Sequence, residues 1–231
     1  MDEKSSRARC CWAPLVLFVA AVSSSCHGPH HGDPTGRRFK DADEWAERFE
    51  DPARDEWQRP DYVLSLMNLT PSSRVADIGS ATGYFPVRFA RACPEGMVYG
   101  VDVEPDMVRY LNERADREGL ANLRSIQCAP DDPKIPESVD VIFICNTYHH
   151  ISDRPNYFRM CRAKLRPGGR IVNVDWVKRK MPIGPPPDHK LAAGVCIKEM
   201  AEAGYRLVKR DDSLPYQYVL VFEPDDGLIA Q

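Results

Sequence analysis

Apolar and polar positions change period several times along the chain. From Arg74 onward, short runs rich in Val, Ile and Tyr alternate with stretches whose apolar residues recur at helical spacing. That alternation is the pattern of a mostly parallel sheet covered on both faces by helices. Residues 74–78, 97–102, 123–128, 139–145 and 170–175 read as strands one to five, and residues 205–211 and 217–223 as strands six and seven. Met107, Tyr110, Leu111 and Ala115 share one helical face between Pro105 and Gly119, a first-turn Pro and a terminal Gly. Phe158, Cys161 and Leu165 form a second stripe, ended by Arg166-Pro167-Gly168-Gly169, where Pro and Gly turn the chain out of helix. A last helix is expected near residues 192–203, before Gly204, and residues 44–49 and 60–67 read as helices that precede the sheet and cover its ligand edge.

The first 26 residues follow a different pattern. Lys4, Arg7 and Arg9 precede an uncharged apolar run from Ala13 to Val22, and Ser23-Ser24-Ser25-Cys26 supplies small residues after it. This is the layout of an export signal, and the run is about half of the roughly 20 residues that a membrane-spanning helix needs. The small-residue run ending in Cys26 resembles the lipobox of bacterial lipoproteins, with Ser23 where Leu is usual. The resemblance implies lipidation of Cys26 and attachment to the bacterial cell envelope; simple secretion and an uncleaved anchor with the domain facing inward are the other outcomes. Residues 27–40 are polar, with Gly and Pro, and read as a flexible tether whose three His are solvated rather than metal-binding. The plan is thus a signal at 1–26, a linker at 27–40 and one α/β domain at 41–231.

Charge and cysteine content narrow the function. Thirty-one Lys and Arg against 34 Asp and Glu give a net charge of -3 without a long basic run, so a nucleic-acid partner is not expected. Outside the first 26 residues, Cys93, Cys128, Cys145, Cys161 and Cys196 are odd in number and form no CxxC pair. They are expected as buried thiols, with no disulfide framework and no metal site.

Candidate chemistry begins where strand one runs into Asp77-Ile78-Gly79-Ser80-Ala81-Thr82-Gly83. Small residues at a strand-to-helix turn let backbone approach a nucleotide-like ligand closely. The spacing lacks the third Gly of the dinucleotide fingerprint, which argues against an NAD-dependent oxidoreductase. Strand two ends at Asp102, 19 residues after Gly83, where a carboxylate can accept both hydrogen bonds of a ribose diol; a helix cap or a salt bridge is its purely structural reading.

In order, strand–DIGSATG, strand–YGVDVEPDMV, strand–APDDPKIPESVD and KLRPGG resemble the class I S-adenosylmethionine-dependent methyltransferases of the small-molecule type. The resemblance implies a three-layer Rossmann-like fold with a seven-stranded, mostly parallel sheet and an antiparallel strand seven, and S-adenosylmethionine as cofactor. It places Asp77, Gly79, Ala81 and Gly83 under the methionine part of that cofactor, Asp102 on the ribose, and Val103 and Met107 along the adenine. Ala129 and Asp131 would stand near the adenine amino group, and Asn146 beside the cofactor after strand four. Ala81 replaces the family's middle Gly, which is comfortable only with a negative φ.

Methyl transfer needs chiefly in-line alignment, so catalytic side chains are expected to be few. The acceptor should meet the methyl outside the carboxyl ends of strands four and five, at Asn146-Thr147-Tyr148-His149-His150. There His149, ranked ahead of His150, is expected to remove the acceptor's proton and Tyr148 to orient it, against the alternative that these are packing or capping residues. No Asn-Pro-Pro-Tyr follows strand four, which sets aside amide and adenine-amino acceptors. Trp57-Gln58-Arg59-Pro60 and residues 184–190, with His189 and Lys190, are expected as loops near the pocket, the second as a lid, an anion-binding segment or a plain crossover. The expected activity is methyl transfer to a small molecule; a non-catalytic envelope protein with a degenerate cofactor site is the alternative.

Overall fold

The structure, a computed structural model, describes residues 41–228. The expected signal at 1–26, the tether at 27–40 and Cys26 lie outside the described residues. Among the described residues, no helix is long and apolar enough to cross a membrane.

Seven strands form one sheet in the order β3-β2-β1-β4-β5-β7-β6. They are β1 (Arg74–Ile78), β2 (Met97–Asp102), β3 (Leu123–Gln127), β4 (Val139–Cys145), β5 (Leu165–Trp176), β6 (Tyr205–Asp211) and β7 (Gln217–Pro224). Neighbours from β3 to β5 pair in parallel, while β7 runs antiparallel between β5 and β6. Seven helices accompany them among the described residues: α1 (Ala42–Phe49), α2 (Arg54–Gln58), α3 (Pro60–Ser65), α4 (Pro86–Ala92), α5 (Pro105–Arg117), α6 (Arg154–Arg162) and α7 (Ala193–Glu202).

Strand periodicity divides the core into two layers, because successive side chains point to opposite faces. Ala76, Ile78, Ile142, Ile144, Ile171 and Leu220 face Phe158 and Cys161 of α6 and Cys196 and Met200 of α7. Val75, Val141, Phe143, Val172, Val174 and Val219 face Val63 of α3, Phe89 of α4 and Leu111 and Ala115 of α5. Both faces of the central strands are therefore apolar, as a parallel sheet requires.

Four differences from the sequence reading have physical causes. The segment Leu165–Gly169 belongs to β5 rather than to a turn before it: Leu165 pairs with Val139 and Arg170 with Val141, so the residues between them bulge out of the ladder. Leu165 accordingly leaves the helical stripe, and α6 stops at Arg162. The helix implied by the strand-to-helix turn at Gly83 was given no bounds; α4 fills that place, with Pro86 in its first turn and Val87, Phe89 and Ala90 buried. Trp57 and Gln58 stand in helix α2 rather than in a loop, with Gln58 fully buried.

Candidate active site

The carboxyl ends of β1, β2, β4 and β5 converge on one edge of the sheet, and the loops leaving them build the site. After β1, Gly79 and Gly83 take φ of 76° and 98°. A Cβ on Gly79 would lie 2.2 Å from Thr147 Oγ1, and one on Gly83 would lie 2.3 Å from Leu111 Cδ1, so the loop packs too closely for any side chain at either place. Ala81 also lies in the left-handed region, at φ 46°. The negative φ that would have made Ala comfortable there is not adopted, and the strain is of order 1–2 kcal/mol. Its compensation is visible: the Ala81 N–H donates to Asp102 Oδ2 at 2.9 Å.

Asp102 fastens the cradle as well as facing it. Its Oδ1 accepts the Glu104 N–H at 3.0 Å, so its two oxygens hold the turns after β1 and β2 together. Burial pushes its carboxyl up to about 6, against the pull of these backbone donors. Asp77 is also buried, and desolvation, then the neighbouring Asp102, raise its carboxyl well above the usual range while Arg54 opposes the shift. Val103 is exposed, as a surface for a flat ring would be, whereas Met107, in the first turn of α5, is fully buried. Ala129 closes a small turn with Asp132, which leaves Asp131 exposed.

Beyond β4, Asn146 takes φ 56° and its side-chain oxygen accepts from Gln217 Nε2 at 2.8 Å. His149 is buried and its Nδ1 lies 2.9 and 3.0 Å from the two carboxylate oxygens of Asp175, which is fully buried at the end of β5. With the carboxylate accepting, Nδ1 is the donor of this pair and Nε2 is the ring nitrogen that Asp175 does not engage. His150 packs on His149 with ring centres 4.2 Å apart.

The expected role of Tyr148 is not supported by its position. Its ring is fully buried, stacked on Phe158 at 5.0 Å, and its hydroxyl donates to Glu199 Oε2 at 3.0 Å on α7. The one-turn 3-10 helix Tyr148–His150 turns Tyr148 into the core below the sheet edge, so it packs and does not orient an acceptor. Lys190 is likewise committed: its Nζ donates to the Arg179 carbonyl at 2.9 Å and the side chain is buried, so it ties its loop down instead of offering a charge to an anion.

Residues distant in sequence complete the site from above. Gln58 Nε2 donates to Gln217 Oε1 at 2.6 Å, Arg54 Nη2 donates to Gln58 Oε1 at 3.3 Å, and Trp57 stacks on Trp176 at 5.2 Å. Thr82 Oγ1 donates to Glu50 Oε1 at 2.7 Å, and Glu50 also pairs with Arg114. Trp57 and Gln58 were expected from the sequence to flank the pocket and Thr82 belongs to the turn after strand one, whereas Glu50, Arg54, Arg114, Trp176 and Gln217 were not singled out. Asp175 had a readable signal, an acid at the carboxyl end of a strand; Glu50 and Gln217 had none, because their partners Thr82 and Gln58 lie 32 and 159 residues away. Two surface hollows of about 520 and 240 Å³ lie at the opposite end of β4 and β5, where Arg162, Arg166 and Arg206 are already paired with Asp226, Asp140 and Glu223.

Residues 75–169, which contain this cradle and the His149 loop, match the family described as a methyltransferase domain. That segment of the chain is thus similar to a methyltransferase domain. Over 127 residues it is 29% identical to 27-O-demethylrifamycin SV methyltransferase of Amycolatopsis mediterranei, covering 54% of this chain and 46% of that protein. It is 26% identical to the ubiquinone/menaquinone biosynthesis C-methyltransferase UbiE of Ectopseudomonas mendocina, over 55% of this chain and 50% of the relative. The chain thus spans about half the length of the curated relatives it matches. Among solved structures, the crystal structure of a SAM dependent methyltransferase from Aquifex aeolicus superposes with a TM-score of 0.74 at 25% identity, covering 80% of this chain and 98% of that one. The domain therefore has the Rossmann-like methyltransferase fold, with its seven-stranded sheet and antiparallel β7. Among the described residues, Cys93, Cys128, Cys145, Cys161 and Cys196 are free thiols.

Proposed function

We propose that the chain is an S-adenosylmethionine-dependent methyltransferase whose acceptor is a small molecule. The cradle carries this: backbone at Gly79, Ala81 and Gly83, held in left-handed conformations and stapled to Asp102, beside a fully buried acid at the next strand end. Gly79, Ala81 and Gly83 would pass under the cofactor's amino-acid part, Asp102 retains lone pairs for a ribose diol, and Val103 offers an apolar face for the adenine. When bound, S-adenosylmethionine supplies a methyl group already made electrophilic by its sulfonium.

What remains for the protein is alignment and removal of a proton from the acceptor. His149 is the base in this reading. Asp175 holds its Nδ1–H, fixes the ring and stabilises the imidazolium that forms when Nε2 takes the proton. An acceptor that must lose a proton on methylation, such as a hydroxyl compound, fits that arrangement. Net charge without a basic run favours a small acceptor over a nucleic acid.

Isothermal titration of the full chain with S-adenosylmethionine, S-adenosylhomocysteine and NAD tests the reading. Micromolar binding of the first two, lost in Asp102→Ala, is expected; binding of NAD alone, or silence from a folded chain, refutes it. Export through residues 1–26 with lipidation of Cys26 is a separate proposal, supported by the residue pattern there. Labelled palmitate should enter the chain in a bacterial host and be absent from Cys26→Ser, and equal labelling of both would sink the proposal.

A further inference from the structure

After Trp176 the chain leaves β5 as Val177-Lys178-Arg179-Lys180-Met181-Pro182-Ile183-Gly184-Pro185, and it meets no acid until Asp188. Lys178, Arg179 and Lys180 are exposed, while Met181, Ile183 and Pro185, which follow them, are half-buried. From Val177 to Lys190 four cations face one carboxylate, a local excess of positive charge in a chain whose net charge is -3.

Charge elsewhere on the domain is handled differently. Eleven of the described arginines pair with carboxylates, whereas Arg59, Lys178, Arg179, Lys180 and Lys190 stand in no ion pair among the described residues. Here the donors go to backbone carbonyls: Arg179 Nη2 to Pro215 at 3.0 Å, Lys190 Nζ to Arg179 at 2.9 Å and Arg59 Nη1 to Ser213 at 3.4 Å. A carbonyl takes the hydrogen bond but leaves the unit charge uncompensated. The acids of the adjoining turn are engaged, Asp211 with Tyr62 and the Ser213 N–H and Asp212 with Arg210, so that exposed Asp61 and Asp188 offset only part of the excess. Desolvation, then the Arg179 charge, hold the Lys190 ammonium below its usual range.

The segment is also held in place. Gly184 lies so close to the Trp176 ring that a Cβ would stand 3.0 Å from it, and the Val177 N–H donates to the Tyr216 carbonyl at 2.9 Å. Trp57 stacks on Trp176 at 5.2 Å and meets Tyr216 at 6.4 Å, and both Trp57 and Tyr216 are half-buried. Exposed cations, half-buried aliphatic side chains and a Trp–Tyr pair on one preordered rim match a bilayer surface: anionic headgroups attract the charges, and the apolar and aromatic groups enter the interfacial layer. A soluble anion would need the charges alone, and three successive basic residues are too few to follow a nucleic-acid backbone. The described chain also begins at this edge of the sheet, where the Ala42 N–H donates to Asp106 Oδ2 at 2.6 Å just beyond the carboxyl end of β2.

We propose that the rim formed by residues 177–185 with Trp57, Arg59 and Tyr216 docks on an anionic lipid surface. The proposal does not depend on which acceptor the cleft takes.

Hydrogen–deuterium exchange of the full chain, read by mass spectrometry, locates the contact. Exchange in residues 177–190 should slow on adding vesicles of phosphatidylglycerol and phosphatidylcholine in equal parts, and should not slow with phosphatidylcholine alone. Lys178→Glu/Lys180→Glu should lose that protection and bind the mixed vesicles at least about tenfold more weakly in sedimentation, with unchanged urea unfolding and unchanged S-adenosylhomocysteine affinity. Residues 1–26 are the same in both chains, so the difference reads the rim alone. Absence of vesicle binding, binding without protection of residues 177–190, equal protection by neutral lipid or equal binding by the double variant would overturn the proposal. Equal protection by RNA or inorganic phosphate would assign the rim to a soluble anion and overturn it as well.

Discussion

Replacing Gly79 by Ala places a methyl group 2.2 Å from Thr147 Oγ1, 2.4 Å from its Cγ2 and 2.8 Å from its Cβ, at a residue whose φ is 76°. Two costs add. Holding Ala in the left-handed region costs about 1–2 kcal/mol, and forcing a methyl into packed space costs about 1–3 kcal/mol. The sum, about 2–5 kcal/mol, is a large share of the 5–15 kcal/mol typical of a domain. Thr147→Gly removes every atom of the clash but leaves the backbone strain. Urea unfolding of the four members of the cycle should show Gly79→Ala destabilised by about 2–5 kcal/mol, with about 1–3 kcal/mol of that absent in the Thr147→Gly background. Additive effects, or a loss below about 0.5 kcal/mol in Gly79→Ala, would refute the claim that Thr147 and the cradle are in van der Waals contact. S-adenosylhomocysteine affinity should fall in Gly79→Ala beyond what stability explains, because the methyl group displaces the strand that faces the ligand.

Asp175→Asn should lower kcat by about 100-fold through loss of the His149 orientation and charge partner, and should shift the pH profile of kcat; an unchanged profile would remove His149 from the proton transfer. Tyr148→Phe should leave kcat unchanged and cost about 1 kcal/mol in unfolding free energy through the lost bond to Glu199, whose carboxylate keeps its bidentate Arg154 partner; a large kcat defect in a stable variant would restore Tyr148 to the pocket. Asp102, with its carboxyl raised to about 6 in the folded chain, holds more proton there than in the unfolded chain between about pH 4 and 6. Its contribution to stability is therefore complete below that window and declines as pH rises through it, while affinity for ribose donors rises over the same range because the ionised carboxylate is the better acceptor. Titration with S-adenosylhomocysteine at pH 5 and pH 7.5 should show weaker binding at the lower value, a difference that Asp102→Asn abolishes.

Much of the architecture was legible because it depends on local pattern. All seven strands were placed to within a residue or two except the start of β5, where a ladder partner, Val139, draws Leu165 into the sheet despite the Pro-Gly-Gly that follows it. Helix α4 was implied by the turn before it but not bounded, because seven residues give too short a period to stand out beside a Gly-rich loop. At the site, the Gly79–Gly83 turn, Asp102 and His149 were readable, since each stands at a fixed offset from a strand end. The burial of Tyr148 was not, because one turn of 3-10 helix decides which of three adjacent side chains enters the core.

By itself, then, the order of residues determined which segments are strands and helices, that they stack as an α/β sheet, and where backbone can come close to a ligand. Those properties follow from side-chain period, turn chemistry and the spacing of small residues, all of which act within a few positions. Only the tertiary structure decided that Asp175 holds His149, that Gln58 reaches across to β4 and β7, and that Ala81 bears a left-handed backbone secured by Asp102. Such pairings join residues 21 to 159 positions apart, and they exist because burial removes the competing water and leaves each polar group only the partner that packing delivers.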